Sequence, residues 1–219
     1  MIKKSVLIGS LLLVSFSAVA FDLPKLGGDK ASASAGNIDA DVADFVAKTA
    51  EMRDIAYASM TTIVAAYADE TQLAKMKAED EELNKKTDAK ENGAAKTALI
   101  KTREAQLAEL QKQKDIGDKT KALSAEKQQK VAKSLFSFAI AALNAPVLMD
   151  KGQKIVSGVS LTNIGKVLPV KDSLPMLADF VKYGGGTMSG FVKIVKGANI
   201  EVKTPAADSK PETNTKDMF

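Results

Sequence analysis

The sequence predicts an all-α fold: a long antiparallel helical hairpin of the coiled-coil type, with shorter C-terminal helices packed on its apolar base. Apolar residues recur in alternating steps of three and four along residues 42–66, which is the spacing of an interhelical contact. A second apolar segment, residues 131–145, follows a long charged stretch. The periodicity stays helical almost throughout residues 38–202, and there is no cysteine to form disulfides. The core must therefore come from helix packing alone.

The first twenty residues predict a secretory signal peptide. Lys3 and Lys4 form its positive end, residues 5–17 form its apolar segment, and Ala20 ends a small-residue cleavage site. The apolar segment is shorter than the about 20 residues that span a bilayer. No cysteine follows the cleavage site, which excludes a lipid-anchored lipoprotein. We therefore expect a mature protein that begins at Phe21 and is exported to the bacterial periplasm.

Two missing residue types limit the chemistry. Cysteine and histidine are both absent, which excludes thiolate nucleophiles, Ser/His/Asp catalysis and histidine-bound zinc. The Asp, Lys and Tyr residues show no spacing that brings a nucleophile to a base. The formal charge of +4 falls to +2 when the two signal lysines are removed, and tryptophan is absent, which argues against nucleic-acid binding. The sequence thus predicts a protein without enzymatic activity, catalytic residues, cofactor or metal.

Two segments have the composition of flexible chain. Residues 21–37 mix glycine, serine, alanine and charge without a period, and residues 203–219 do the same with proline. We expect a flexible N-terminal linker and a disordered C-terminal tail.

Residues 38–145 form the predicted hairpin. One helix is expected from about residue 39 to residue 91, with a kink near Asp69-Glu70-Thr71 as the alternative, and the chain is expected to reverse at Asn92-Gly93, a pair typical of a helix end. Residue i of the first arm then lies level with about 185 minus i on the second, because both helices rise by about 1.5 Å per residue. Phe45 would face Ile140, so that the apolar base would lie at one end and a charged tip at the other.

Residues 146–202 differ from the predicted hairpin in composition: short amphipathic segments are separated by prolines and glycines. Pro146 marks the start of this region, and three consecutive glycines, residues 184–186, predict a hinge. Helices this short are marginal alone, so we expect them to pack on the apolar base of the hairpin.

The C-terminal third also carries candidate contact residues. Lysines are interspersed with apolar faces, as in helices that lie on an anionic lipid surface, although ordinary surface helices share this pattern. The candidate contacts with a membrane or a partner are Lys182, Phe191, Lys193 and Lys196. If these helices only close the hairpin base, Phe191 belongs to the core instead. The uncharged run 134–149 is too short for a spanning helix and favours a buried core helix.

The expected function is non-enzymatic protein–protein contact in the bacterial envelope, as a scaffold, an adaptor or a chaperone-like protein. Its partners would be other envelope proteins, or a second copy of the chain through the helical seam. The alternative is a membrane- or lipid-binding protein whose C-terminal amphipathic helices engage or insert into a bilayer after opening at the glycines. Salt-sensitive binding to anionic vesicles would favour this alternative.

Overall fold

The computed structural model describes residues 38–159, 161–206 and 208–219, and it confirms the all-α class. The predicted signal peptide and N-terminal linker, residues 1–37, lie outside the described residues. The α-helices of the described chain are α1 Ile38–Tyr67, α2 Glu70–Asn84, α3 Ala89–Lys112, α4 Ile116–Ala122, α5 Ala125–Ser157, α6 Leu168–Tyr183 and α7 Ser189–Gly197. A 3-10 helix, Leu161–Val167, precedes α6, a π-helical turn, Gly184–Met188, joins α6 to α7, and a last 3-10 turn spans Thr215–Asp217.

Helix α1 is the centre of the fold and is buried on every side along residues 56–66. This segment consists of small, apolar and hydroxyl-bearing residues, so no charged side chain on it has to reach water. Helices α3, α5 and α6 pack directly on α1. The hydrophobic core therefore surrounds one helix instead of lying between the two arms of a hairpin.

The two apolar segments of the sequence do pack antiparallel, as α1 against α5, but in a different register from the predicted one. The Lys151 ammonium lies 2.6 Å from the Asp44 carboxylate, and the Lys127 ammonium donates to the Ala66 carbonyl at 3.2 Å. Level residues are thus i and about 195 minus i, a shift of about ten residues, or about 15 Å along the helices. Phe45 lies beside Gly152 as a result, and not beside Ile140.

The single long hairpin is not confirmed, because the chain does not reverse at Asn92-Gly93. It breaks first at Asp69, which starts α2 through a capping box: the Asp69 carboxylate accepts the Gln72 amide at 2.8 Å, and the Asp69 amide donates to the Gln72 side chain at 3.2 Å. A second turn, residues 85–88, ends at Asp88, whose carboxylate accepts an amide of the first turn of α3 at 2.8 Å. Capping aspartates, and not the Asn-Gly pair, set these helix starts.

Asn92 and Gly93 lie inside α3 and help this helix to pack against α2 and α1. The Asn92 amide donates to the Leu83 carbonyl at 3.0 Å, so it satisfies an acceptor at the C-terminal end of α2. The space beside Gly93 holds the Arg53 guanidinium of α1, which lies 2.6 Å from the place a Cβ would take. The residue types that predict a turn here instead fit α3 closely against its neighbours.

Pro146 lies inside α5, so the boundary expected after residue 145 falls within a continuous helix. The proline is exposed, and its lack of an N–H removes only one backbone hydrogen bond. The buried side of the same stretch carries Ala145, Leu148 and Gly152, whose packing holds the helix together through to Ser157. Helix α5 therefore carries the apolar segment and the chain beyond the proline as one element.

The three consecutive glycines form a continuous π-helical turn in place of the expected hinge, and none of them has a positive φ. A Cβ at Gly184 would stand 2.7 Å from the Cβ of Ala142 on α5, whereas a Cβ at Gly185 would meet nothing within 4 Å. Gly184 is therefore needed for the close approach of the turn to α5, and not for backbone freedom.

The C-terminal segment, expected to be disordered, is docked on the helices. After α7 the chain crosses back to α5, where the backbone amides of Glu212 and Thr213 donate to the Ser137 hydroxyl at 2.8 and 3.0 Å. Thr213 and Met218 are buried. The composition of the tail does not show this docking, because the acceptors that hold it lie about 75 residues earlier in the chain.

We expect Gly184→Ala to destabilise the protein by about 1–3 kcal/mol, because the added methyl group overlaps the Ala142 side chain and α5 must shift. The matched control is Gly185→Ala, which should be neutral or stabilise by about 0.4–1 kcal/mol, because its methyl group has open space and a helical backbone. Urea unfolding followed by circular dichroism measures both. Equal effects would contradict the close approach of the turn to α5.

Candidate functional site

An open groove between α2 and α3 is lined in part by apolar side chains. Its volume is about 660 Å³. The apolar wall includes Val64 and Tyr67 from α1, Met76 from α2, and Ala105 and Leu110 from α3. We call this surface the α2–α3 groove. Its size and its mixture of an apolar wall with a few polar groups suit a binding site.

The two helices contact each other near the turn that joins them, where Glu79 pairs with Arg103 and Asn92 reaches the last turn of α2. We call this the narrow end of the groove. The lining residues Gln72, near the start of α2, and Gln113, just after α3, stand at the other, open end. A partner side chain can therefore enter from the open end and reach the surface of α1.

A buried polar cluster closes the narrow end of the groove. Arg103 is only 1% exposed, and its guanidinium forms an ion pair with the Glu79 carboxylate and donates to the Gln106 side chain at 3.0 Å. Beside it, the Tyr57 hydroxyl of α1 donates to the Asp80 carboxylate at 3.0 Å. Arg103 fits this place because a guanidinium remains charged when buried and offers several donors in one plane. The cluster ties α1, α2 and α3 together.

Burial raises the pKa of both tyrosines beside the groove. The pKa of Tyr57 is raised well above its ordinary value of 10.0, chiefly by burial and then by the Asp80 carboxylate. Burial also raises the pKa of Tyr67, whose hydroxyl shares a hydrogen bond of 2.9 Å with Thr120 of α4. Both phenols stay neutral at physiological pH, so they act here as hydrogen-bonding groups of the framework.

The contact residues predicted from the sequence lie elsewhere and do not form one surface. Lys182, Lys193 and Lys196 are exposed and have no ion-pair partner among the described residues. Phe191 has 0% exposure and packs against Tyr67, with 6.0 Å between the ring centroids. Its burial makes Phe191 a core residue in this structure, because the apolar face of α7 turns inward and leaves only the lysines outside.

Helix α5 is the one described helix long and apolar enough to cross a membrane. More than half of its apolar stretch, 56%, is buried inside the protein, and the core helix of a soluble protein meets the same criterion. Among the described residues, no group of three or more His, Cys, Asp and Glu side chains is arranged to hold a metal ion.

Sequence reasoning did not find Arg103, although one signal was present. Of the 31 basic residues of the chain, only Arg53 and Arg103 are arginines. The Nε of each is buried without a hydrogen-bond partner among the described residues; the Arg103 guanidinium pairs with Glu79, and the Arg53 guanidinium lies beside Gly93 of α3. In a chain that uses lysine on its surface, the rare arginines mark the positions where a cation is enclosed.

Comparison with known proteins gives no relative for this chain. No protein-family model matches it, and neither the curated proteins nor the solved structures contain a significant match.

We expect Arg103→Met to destabilise the protein by about 3 kcal/mol, because it removes the partner of Glu79 and a donor to Gln106 inside the helix junction. The control is Lys101→Met on the same helix, whose exposed ion pair with Asp179 at 3.6 Å should contribute less than about 1 kcal/mol. Urea unfolding gives both values. Similar small losses would contradict a structural role for the buried cluster.

We also expect stability to fall as pH rises above about 10, because the folded state holds the phenol protons more tightly than the unfolded chain. Because the folded-state pKa values are raised, the tyrosines contribute their full share of the free energy of unfolding below pH 10, and this contribution is lost progressively above pH 10. Tyr57→Phe should make the free energy of unfolding decrease less steeply with pH above pH 10. The measurement is the free energy of unfolding between pH 8 and pH 11.5, and an unchanged slope in the variant would contradict the assignment to Tyr57.

Proposed function

We propose that this is a non-enzymatic protein of the cell envelope that acts by protein–protein contact, in the scaffold, adaptor or chaperone-like class. The observation that carries the proposal is the α2–α3 groove, an open cleft with an apolar wall. Most other large apolar side chains of the described chain are buried. The envelope location rests on the signal-peptide pattern of residues 1–20.

The chemistry of the groove defines the partner. Tyr67 and Leu110, which are partly exposed, line the cleft together with the nearly buried Met76, and such surfaces accept an apolar side chain of a helix or of an extended segment. Lys101 and Glu109 stand at the rim with opposite charges. The partner segment therefore carries one or two apolar anchors flanked by polar residues that pair with this rim.

A photo-crosslinking amino acid at Thr102 tests the groove, because this residue is exposed and lines it. In cells that make the protein, we expect discrete crosslinked products from Thr102. Combining the crosslinker with Ala105→Glu should reduce them about tenfold or more, because a carboxylate then stands in the apolar cleft.

The matched control is Ala78→Glu on α2, an exposed alanine outside the groove lining, which should leave the crosslinked products unchanged. Both variants add the same charge to an exposed helix position. Crosslinking that survives Ala105→Glu, or that both variants reduce equally, would contradict a partner in the groove.

A second candidate is contact with an anionic lipid surface, and one observation favours it. Lys182, Lys193 and Lys196 are exposed without ion-pair partners among the described residues, and Val181 beside them is 41% exposed. The burial of Phe191 weighs against it, because the apolar face of α7 is already occupied by the core. Insertion would require α7 to leave the bundle.

Co-sedimentation with anionic vesicles separates the two proposals. We expect no salt-sensitive binding by the mature chain if the protein works through the groove. If binding occurs, changing Lys182, Lys193 and Lys196 to Gln should weaken it, since each lysine near such a surface contributes about 1 kcal/mol. The charge-matched control changes Lys75, Lys112 and Lys119, which are exposed and ion-paired elsewhere, to Gln.

A further inference from the structure

The C-terminal segment leaves α7 through a left-handed residue and then runs without α-helix. Asn199 has a φ of 62°, and the Ile200 amide closes the helix end by donating to the Val195 carbonyl at 3.1 Å. The described chain beyond this point contains only the short 3-10 turn Thr215–Asp217. It crosses the bundle and ends on α1, α2 and α5. We call residues 212–219 the strap.

The strap binds α5 through its peptide backbone and one hydroxyl group. Ser137 accepts two successive backbone amides, those of Glu212 and Thr213, and the hydroxyls of Ser134 and Thr213 share a hydrogen bond of 3.2 Å. Ser134 and Ser137 lie on one face of α5 at a spacing of three. Any extended segment with a hydroxyl residue at the position of Thr213 could make these same bonds.

The end of the strap is anchored between helices. Met218 is only 2% exposed and belongs to the hydrophobic core, and the 3-10 turn that precedes it packs on α1. The Lys130 ammonium of α5 donates to the Phe219 carbonyl at 3.3 Å, and the Lys77 ammonium of α2 lies 5.9 Å from the Phe219 ring centroid. The strap therefore closes the gap between α2 and α5 over α1.

A polar cavity that is partly open to solvent lies beside the strap. Its volume is about 290 Å³, and its lining includes Thr62, Gln129, Ser134 and Thr213. Thr62 is 3% exposed, and its hydroxyl has no hydrogen-bond partner in the part of the chain that the structure describes. A buried hydroxyl without a partner costs free energy, so opening the strap would hydrate Thr62 and offset part of the lost contacts.

The connector between α7 and the strap is held on the bundle at its start and exposed after that. Val202 and Pro205 are buried, and the Lys203 ammonium lies 5.8 Å from the Phe136 ring centroid of α5 and pairs with Glu212 at 2.6 Å. Asp208 and Lys210, which follow, are exposed. In the described part of the C-terminal segment, the hydrogen bonds to α5 come from the strap. The strap can therefore detach without unfolding α7, in the manner of a local opening.

We propose that the seam of α1 and α5 is a binding site for an extended segment, and that it accepts the strap of a second copy of this chain in exchange for its own. The second copy supplies every contact that the seam already makes, so the exchanged and closed forms differ mainly by association entropy. A short tether keeps the chain's own strap at an effective concentration on the order of millimolar, so exchange grows as the protein concentration approaches that range. This site is distinct from the α2–α3 groove.

The test uses two full-length single-cysteine proteins, because the natural chain has no cysteine. Ser134→Cys is made in an unlabelled chain and Thr213→Cys in an isotopically heavy chain, at two hydroxyls that lie 3.2 Å apart in the closed form. The proteins are mixed at several concentrations and mildly oxidised, and mass spectrometry counts heavy–light disulfides. We expect an interchain 134–213 disulfide that rises with concentration to about tenfold above the control pair, because local opening exposes these thiols.

The control pairs Thr213→Cys with Ala141→Cys, which is also buried on α5 but lies about two helical turns from Ser134. The double variant Ser134→Cys/Thr213→Cys should close within one chain, which verifies the docked geometry. Met218→Ala in both chains should speed the 134–213 product several-fold and leave the Ala141 pair unchanged. The proposal is overturned if the heavy–light product stays at the control level, if the double variant does not close, or if Met218→Ala speeds both pairs equally.

Discussion

The fold depends on the burial of α1 along residues 56–66. A helix enclosed on all sides needs side chains that are small or apolar around its whole circumference, and this segment has them. The other elements are arranged by that requirement: α5 and α6 cover one side, α3 another, and the strap fills the gap between α2 and α5. This burial has an unfavourable consequence: the hydroxyls of Ser59, Thr61 and Thr62 lie inside without protein partners among the described residues.

Two groups of buried polar side chains each adjoin a concave surface. At the first, Arg103 and Glu79 join α3 to α2 and thereby set the narrow end of the α2–α3 groove. At the second, Ser134 and Ser137 hold the strap over the polar cavity beside Thr62. Hydrogen bonds in these positions fix which elements meet, while the apolar area around α1 supplies most of the stability. Both proposed contact sites are thus boundaries of the same core.

Much of the local structure could be predicted from the chain. Helical periodicity gives the all-α class, and the presence of two apolar segments indicates that they pack on each other, as α1 and α5 do. The register could not be predicted, because the two segments are joined by α2, α3 and α4 and not by one turn. Asp88 and Asn92-Gly93 both have the right chemistry for a helix boundary, and in the structure Asp88 starts α3 while Asn92 packs on α2. The candidate site depends on that choice, since α2 and α3 flank the groove only when the chain turns at residues 85–88.

The sequence by itself determined the helical class and the absence of histidine and cysteine chemistry, and it predicts export from the pattern of residues 1–20, because composition and periodicity are properties of the chain alone. Only the tertiary structure decided the roles of Phe191, Gly184 and the tail. Phe191 faces the core because Tyr67 of α1 lies beside it, Gly184 is required because Ala142 stands 2.7 Å from the place of its Cβ, and the tail is ordered because Ser137 accepts its amides. Each of these contacts joins residues more than 40 positions apart, and such long-range contacts cannot be predicted from the local sequence.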